Sequence, residues 1–132
     1  MKTNFGKGLL AFSEGKYEQA FTFFEKSHRE NIPPDKHLTL YNTGLSLIFL
    51  ENLVLAEDYF LKALRYFPNH SDSLHWIAYI NFRKGQLSTA QDYYLNSLKS
   101  HPRSQTSING CIHFFIEQGL SSEEINVFLN KN

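Results

Sequence analysis

The sequence predicts an all-α chain of stacked antiparallel helix hairpins, and three observations predict it. Pro34, Pro68 and Pro102 stand 34 residues apart. The segments EGKYEQAFTFFEKS, LENLVLAEDYFLKA and KGQLSTAQDYYLNS align, so that Ala20, Ala56 and Ala90 coincide, as do Phe24, Phe60 and Tyr94. Gly15, Glu51, Gly85 and Gly119 recur at steps of 36, 34 and 34 residues. Repetition at this period means helical units too small to bury their apolar faces alone, which do so against one another.

Each repeat reads as two helices joined by a tight turn. In the third, Leu74, Ile77 and Ala78, then Ala90, Tyr94 and Leu98, recur three and four apart, the helical period. Gly85 falls where a left-handed residue ends the first helix, and Pro102 stops the second. The predicted repeats of this single domain are 1–36, 37–70, 71–104 and a degenerate 105–132. The first keeps Gly8, Gly15, Tyr17, Ala20 and Phe24, and the pair Pro33 and Pro34 adds a break that accounts for the longer first step. The second runs through Leu40, Gly44, Leu47, Ala56, Phe60, Ala63 and Pro68. Ser71 and Asp72 are the expected caps of the third repeat. In the fourth, Glu124 replaces the alanine that lets paired helices cross closely, so a looser hairpin or a shifted register is expected there. Ser121, Ser122, Glu123 and Glu124 read as a helix start, where carboxylates favour the positive end of the helix dipole.

The 34-residue unit and its small and large apolar positions resemble the tetratricopeptide repeat over nearly the whole chain. Lys7 departs from the pattern, where the family prefers leucine. The resemblance implies a right-handed α-solenoid of three such repeats plus the degenerate fourth hairpin. It also implies that the first helices line a concave groove, that the second helices form the outer surface, and that recognition takes place in the groove.

Helical geometry, at about 100° per residue, sorts the faces. Leu74, Ile77, Ala78 and Asn81 share the core side by alignment with the repeat signature, which leaves Trp76 opposite, with Asp72, Tyr79 and Arg83 near it and His75 on the flank. The same face of the other repeats supplies Phe5, Leu9 and Phe12, then Tyr41, Asn42, Leu45, Ile48 and Phe49, then Asn109, His113 and Ile116. The candidate partner-binding residues are therefore Phe5, Phe12, Tyr41, Asn42, Phe49, Asp72, His75, Trp76, Tyr79, Arg83 and His113. Two readings stand side by side for Phe12, Tyr41, Leu45 and Phe82: contact with a partner, or packing against the neighbouring repeat.

In one binding mode of the family, cations and asparagines clamp the carboxylate end of a chaperone tail. The matching places here hold Phe5, Leu9, Asn42, Asp72 and Trp76, so only Asn42 agrees and a carboxylate stands where a cation is needed. Such a clamp is not expected. Nor is chemistry: the sequence has no nucleophile elbow, phosphate-cradling glycine loop or paired-histidine metal motif. His75 and Asp72 share one predicted helix and His113 lies on another, a set that matches no metal motif, and neither a metal nor a cofactor is expected.

Composition narrows the partners further. Thirteen basic residues balance thirteen acidic ones, which disfavours nucleic acid and anionic membranes. Cys111 is the lone cysteine and sits in an apolar run, so it reads as a buried thiol. No window reaches the length of a spanning helix. The start, MKTNFGKGLLAFSEGKY, holds an apolar stretch too short for a signal peptide, so a cytoplasmic chain is expected if the sequence is complete. The expected function is that of a non-enzymatic adaptor or chaperone-like module, holding a peptide or helical segment of another protein in an aromatic groove. The alternative is a structural subunit of a larger assembly, such as a secretion or motility apparatus, forming a homodimer or hetero-complex through Ile125, Phe128 and Leu129 at the uncovered C-terminal edge or through its outer face.

Overall fold

A computed structural model describes residues 3–30 and 36–131, so the proline pair Pro33 and Pro34 lies outside the described residues. Among the described residues the chain forms eight α-helices and no strand. These are α1 (Asn4–Ser13), α2 (Tyr17–Arg29), α3 (Lys36–Phe49), α4 (Leu53–Tyr66), α5 (Ser71–Arg83), α6 (Leu87–Ser100), α7 (Gln105–Glu117) and α8 (Ser122–Lys131). Consecutive helices pair into four hairpins, as the repeats predict. The chain divides into two compact halves, one ending at Pro68 and the other beginning at Asn69.

One turn serves all four hairpins. The residue after each left-handed position donates its backbone N–H five residues back: Lys16 to Ala11, Asn52 to Leu47, Gln86 to Asn81 and Leu120 to Phe115, at 2.9–3.1 Å. This closes the carbonyls that a helix end leaves open. The left-handed residues are Gly15, Gly85 and Gly119, with φ of 76°, 78° and 84°, and Glu51, with φ of 60°.

In the N-terminal half, α1 pairs with α2, α3 with α4, and α2 packs on α3. The close crossings are made by bare backbone under a ring. A side chain begun on Gly8 would meet the Phe24 ring at 2.5 Å, and one begun on Gly44 would meet the Phe60 ring at 2.9 Å. Both rings are fully buried, with Ala20, Ala56 and Ala63 beside them. The hydroxyl of Tyr59 on α4 donates to the carboxylate of Glu25 on α2, and burial, with this hydrogen bond second, holds the phenol well above its ordinary pKa.

In the C-terminal half, α5 pairs with α6 and both pack on α7. Ala78, Ala90, Tyr94, Leu98, Cys111, Phe114, Phe115 and Ile125 form one core. Burial pushes the Cys111 thiol up to about 11, and its Sγ donates to the Tyr94 carbonyl, so the cysteine is an inert core residue. The cap of α5 is His70, whose Nδ1 lies 2.6 Å from Ser73 Oγ, in place of the expected Ser71 or Asp72. Ser71 is instead the first helical residue, and Asp72 keeps a carboxylate in the first turn.

The fourth hairpin is shifted in register. α8 begins at Ser122, 35 residues after α6 begins at Leu87, because its turn holds one more residue. Ile125 consequently takes the buried place that Ala90 holds in the third repeat, and Glu124 turns outward. There it closes a capping box, accepting from the Ser121 N–H at 3.0 Å while Ser121 Oγ accepts from the Glu124 N–H at 3.2 Å. Hydrogen bonding from Ser121, its backbone N–H first, holds the Glu124 carboxyl below its ordinary pKa.

Candidate functional site

In the N-terminal half the structure separates the candidates into two groups. Phe12 and Phe49 come together, with ring centroids 5.5 Å apart, and Tyr17 joins them, stacked on Phe49 at 4.9 Å and edge-on to Phe12 at 5.2 Å. Phe49 is 48% exposed, so the cluster presents a ring to solvent. Tyr17 starts α2, outside the candidate set; its place is taken by Leu53 and Leu87 in the next two repeats, and the aromatic there is the signal in the sequence. Phe5 and Tyr41 lean instead on core rings, 5.7 Å from Phe24 and 5.7 Å from Phe60. The Asn42 amide donates to the Leu38 carbonyl one turn back at 2.8 Å, so one of its two N–H donors is used within its own helix.

The C-terminal half brings four candidates onto one line of α5. Asp72, Trp76, Tyr79 and Arg83 are spaced by 4, 3 and 4 residues, which places them on one stripe along the helix. Trp76 stands edge-on to Tyr79 at 5.5 Å. The Arg83 guanidinium donates to the Tyr79 hydroxyl at 2.6 Å and lies 5.6 Å from the ring centroid. Trp76 and Tyr79 are half-buried and Arg83 is exposed.

His75 turns inward from this stripe. Its ring lies edge-on to Trp76 at 4.9 Å and to Tyr94 at 5.8 Å, and its Nδ1 is buried without a hydrogen-bond partner. Burial lowers its pKa to about 4, against a smaller opposite pull from Asp72. It is a neutral support behind Trp76 rather than an open donor. His113 stands exposed on α7, and no three His, Cys, Asp or Glu side chains among the described residues gather as a metal site.

At the C-terminal edge the three candidates part company. Ile125 is core, Phe128 stacks on Phe115 at 4.5 Å, and Leu129 is half-buried. Beside them a pocket of about 410 Å³ opens between α7 and α8, lined by Ile112, Ile116, Leu120, Ser122, Ile125, Asn126 and Leu129. No helix among the described residues is long and apolar enough to cross a membrane.

Residues 59–92, from the middle of α4 through α5 into α6, match the family model described as tetratricopeptide repeat. That stretch is similar to a tetratricopeptide repeat. Solved structures of such domains share the chain's fold at low identity. The first TPR of Spaghetti (RPAP3), bound to HSP90 peptide SRMEEVD, matches with a TM-score of 0.77 at 18% identity, over 89% of this chain and 91% of that one. The first TPR domain of human RPAP3 gives 0.77 at 21%, over 92% of each chain. The Sgt2 TPR domain from Aspergillus fumigatus gives 0.77 at 14%, over 88% of this chain and 77% of its own. No curated protein matches the sequence.

Proposed function

We propose that the chain is a non-enzymatic adaptor that holds a short segment of a partner protein against the α5 face of its C-terminal half. The observation that carries this reading is the stripe of Asp72, Trp76, Tyr79 and Arg83, in which two half-buried rings are braced from behind by His75 and from the side by Arg83. Braced aromatic rings with a polar tip supply contact area at little entropic cost, which is why tryptophan and tyrosine concentrate at binding hot spots. The Phe12, Tyr17 and Phe49 cluster gives the N-terminal half a second surface of the same chemistry. Peptide-bound fold neighbours support a peptide as the ligand class. A carboxylate clamp on the partner's chain end is not proposed, because Phe5, Leu9, Asn42, Asp72 and Trp76 provide no cation at the matching places.

The test is affinity capture with the intact chain and with Trp76→Ala, followed by titration of whatever the variant loses. Trp76→Ala is expected to weaken that partner by about 1 kcal/mol or more while the helical melt stays nearly unchanged. Parallel loss of stability and binding sinks the reading.

The pocket between α7 and α8 favours a second reading, a structural subunit that associates through this edge. Ile116 lines the pocket and is 57% exposed. Self-association or hetero-complex formation in sedimentation, abolished by Ile116→Lys and retained by Trp76→Ala, would select this reading. Phe128 is a poorer probe because it stacks on the core residue Phe115.

A further inference from the structure

Helix α5 carries two formal charges, Asp72 and Arg83, one at each end. Both stand on the stripe that holds Trp76 and Tyr79. Eleven residues separate them, a span of about 16 Å at about 1.5 Å per residue. No cation lies within ion-pair distance of Asp72 among the described residues. Arg83 is held in place by its hydrogen bond to Tyr79 and its position by that ring. The surface is therefore ordered along its length: anionic, aromatic, cationic.

From this order we infer that the segment bound by α5 is itself charge-ordered, with a basic residue at the Asp72 end, an aromatic or large aliphatic side chain against Trp76 and Tyr79, and an acidic residue at the Arg83 end. The inference rests on the α5 face being the binding surface. Complementary charges fix register and orientation more than they add affinity, while the rings supply the contact area. A span of about 16 Å corresponds to about five steps of an extended peptide at about 3.3 Å each, so one short segment reaches both charges. An all-acidic chain end would meet the Asp72 carboxylate and is selected against by like-charge contact. Asp72 and Arg83 also suit the two ends of the helix dipole. A purely intrahelical role predicts no charge preference in the ligand, which separates the two.

The test pans a phage-displayed library of random dodecapeptides on the intact chain and on Trp76→Ala, Arg83→Glu and Asp72→Lys, each checked for an unchanged helical spectrum. Expected are enriched peptides with an aromatic or large aliphatic residue between a basic and an acidic one. Arg83→Glu should weaken the best synthetic peptide about twofold to fivefold, the range of one exposed ion pair, and should replace its acidic end by a basic one on renewed selection. Asp72→Lys should do the converse. Enrichment of peptides acidic throughout, of uncharged peptides, or of none overturns the inference, as does a charge pattern that Arg83→Glu and Asp72→Lys leave unchanged. If Trp76→Ala abolishes enrichment while the charge variants do nothing, the surface stands and the charge order falls. Enrichment indifferent to Trp76→Ala removes both.

Discussion

The Nδ1 atom of His75 lies 2.6 Å from the point at which a side chain on Gly110 would begin, so α5 and α7 meet through an imidazole pressed on bare backbone. The Tyr94 ring closes the same spot from α6, at 3.2 Å. One inward-turned histidine thus joins three helices of the C-terminal half and sets the ring of Trp76 from behind. The surface residue is positioned by a core contact.

Gly110→Ala should therefore destabilise the C-terminal half. Alanine gains about 1 kcal/mol over glycine inside a helix, but overpacking a filled site costs about 1–3 kcal/mol. The expected result is a net loss, read as a lower urea midpoint by fluorescence of Trp76, the chain's one tryptophan. Combining Gly110→Ala with His75→Ala should cost less than the two changes summed, because they share one contact. A stabilised single variant would show that the helices separate freely there.

Acid should weaken the same half. Burial lowers the His75 pKa from an ordinary 6.5 to about 4, so between these values the unfolded chain takes up a proton that the folded chain refuses. The contribution is whole above pH 6.5 and is lost as the pH falls through the folded value near 4. Linkage puts the loss at about 2 kcal/mol by pH 5. The charged group acting on the ring is Asp72 on its own helix, while α6 and α7 oppose it with the Tyr94 ring and the Gly110 backbone. Urea titrations from pH 7 to 5 should show the slope, and His75→Gln should flatten it. An equal slope in the variant would assign the effect to other groups.

A buried hydroxyl pair carries another prediction. Ser97 Oγ on α6 lies 2.7 Å from the Ser71 carbonyl oxygen at the start of α5, to which it donates, and 2.7 Å from Ser107 Oγ on α7. All three serines are buried. Ser97→Ala leaves the carbonyl and the second hydroxyl without this partner, at a cost of about 1–3 kcal/mol. Ser97→Ala with Ser107→Ala should cost less than the sum of the separate changes, measured by chemical denaturation. Strict additivity would mean that the hydroxyls do not act as a unit.

What the sequence made legible was whatever repeats. Ala56, Ala90, Phe60 and Tyr94 recur because each of the first three hairpins has a small residue where its helices cross and a ring beside it, and all are buried as the spacing requires. The α5 stripe followed from the same register. The fourth hairpin was legible only as a departure, since Glu124 marked a fault that one extra turn residue resolves by moving Ile125 inward. Contacts that do not repeat were not legible. A helical wheel gives His75 a flank, but whether that flank opens or closes depends on Gly110 in the next repeat, whose occurrence inside a helix was the available sign of close approach. Tyr17 reads in the sequence only as a repeat position on a second helix, whereas its ring reaches across the hairpin tip to Phe12 and Phe49.

The turns offer the last prediction, and it concerns strain. Gly15, Gly85 and Gly119 occupy left-handed backbone with no atom within 4 Å of where a side chain would begin, so the space is open and the conformation alone selects glycine. Glu51 occupies the same place in the second hairpin at φ of 60°. A non-glycine residue there costs about 1–2 kcal/mol, of which glycine's greater freedom in the unfolded chain takes back about 0.4–1 kcal/mol. Glu51→Gly should therefore stabilise the N-terminal half by up to about 1 kcal/mol, while Gly85→Ala should destabilise the C-terminal half by a similar amount. Thermal melts followed by far-ultraviolet circular dichroism, with Trp76 fluorescence reporting the C-terminal half, distinguish the two. A lower melting temperature for Glu51→Gly would mean that the glutamate side chain contributes more at this turn than its backbone strain removes.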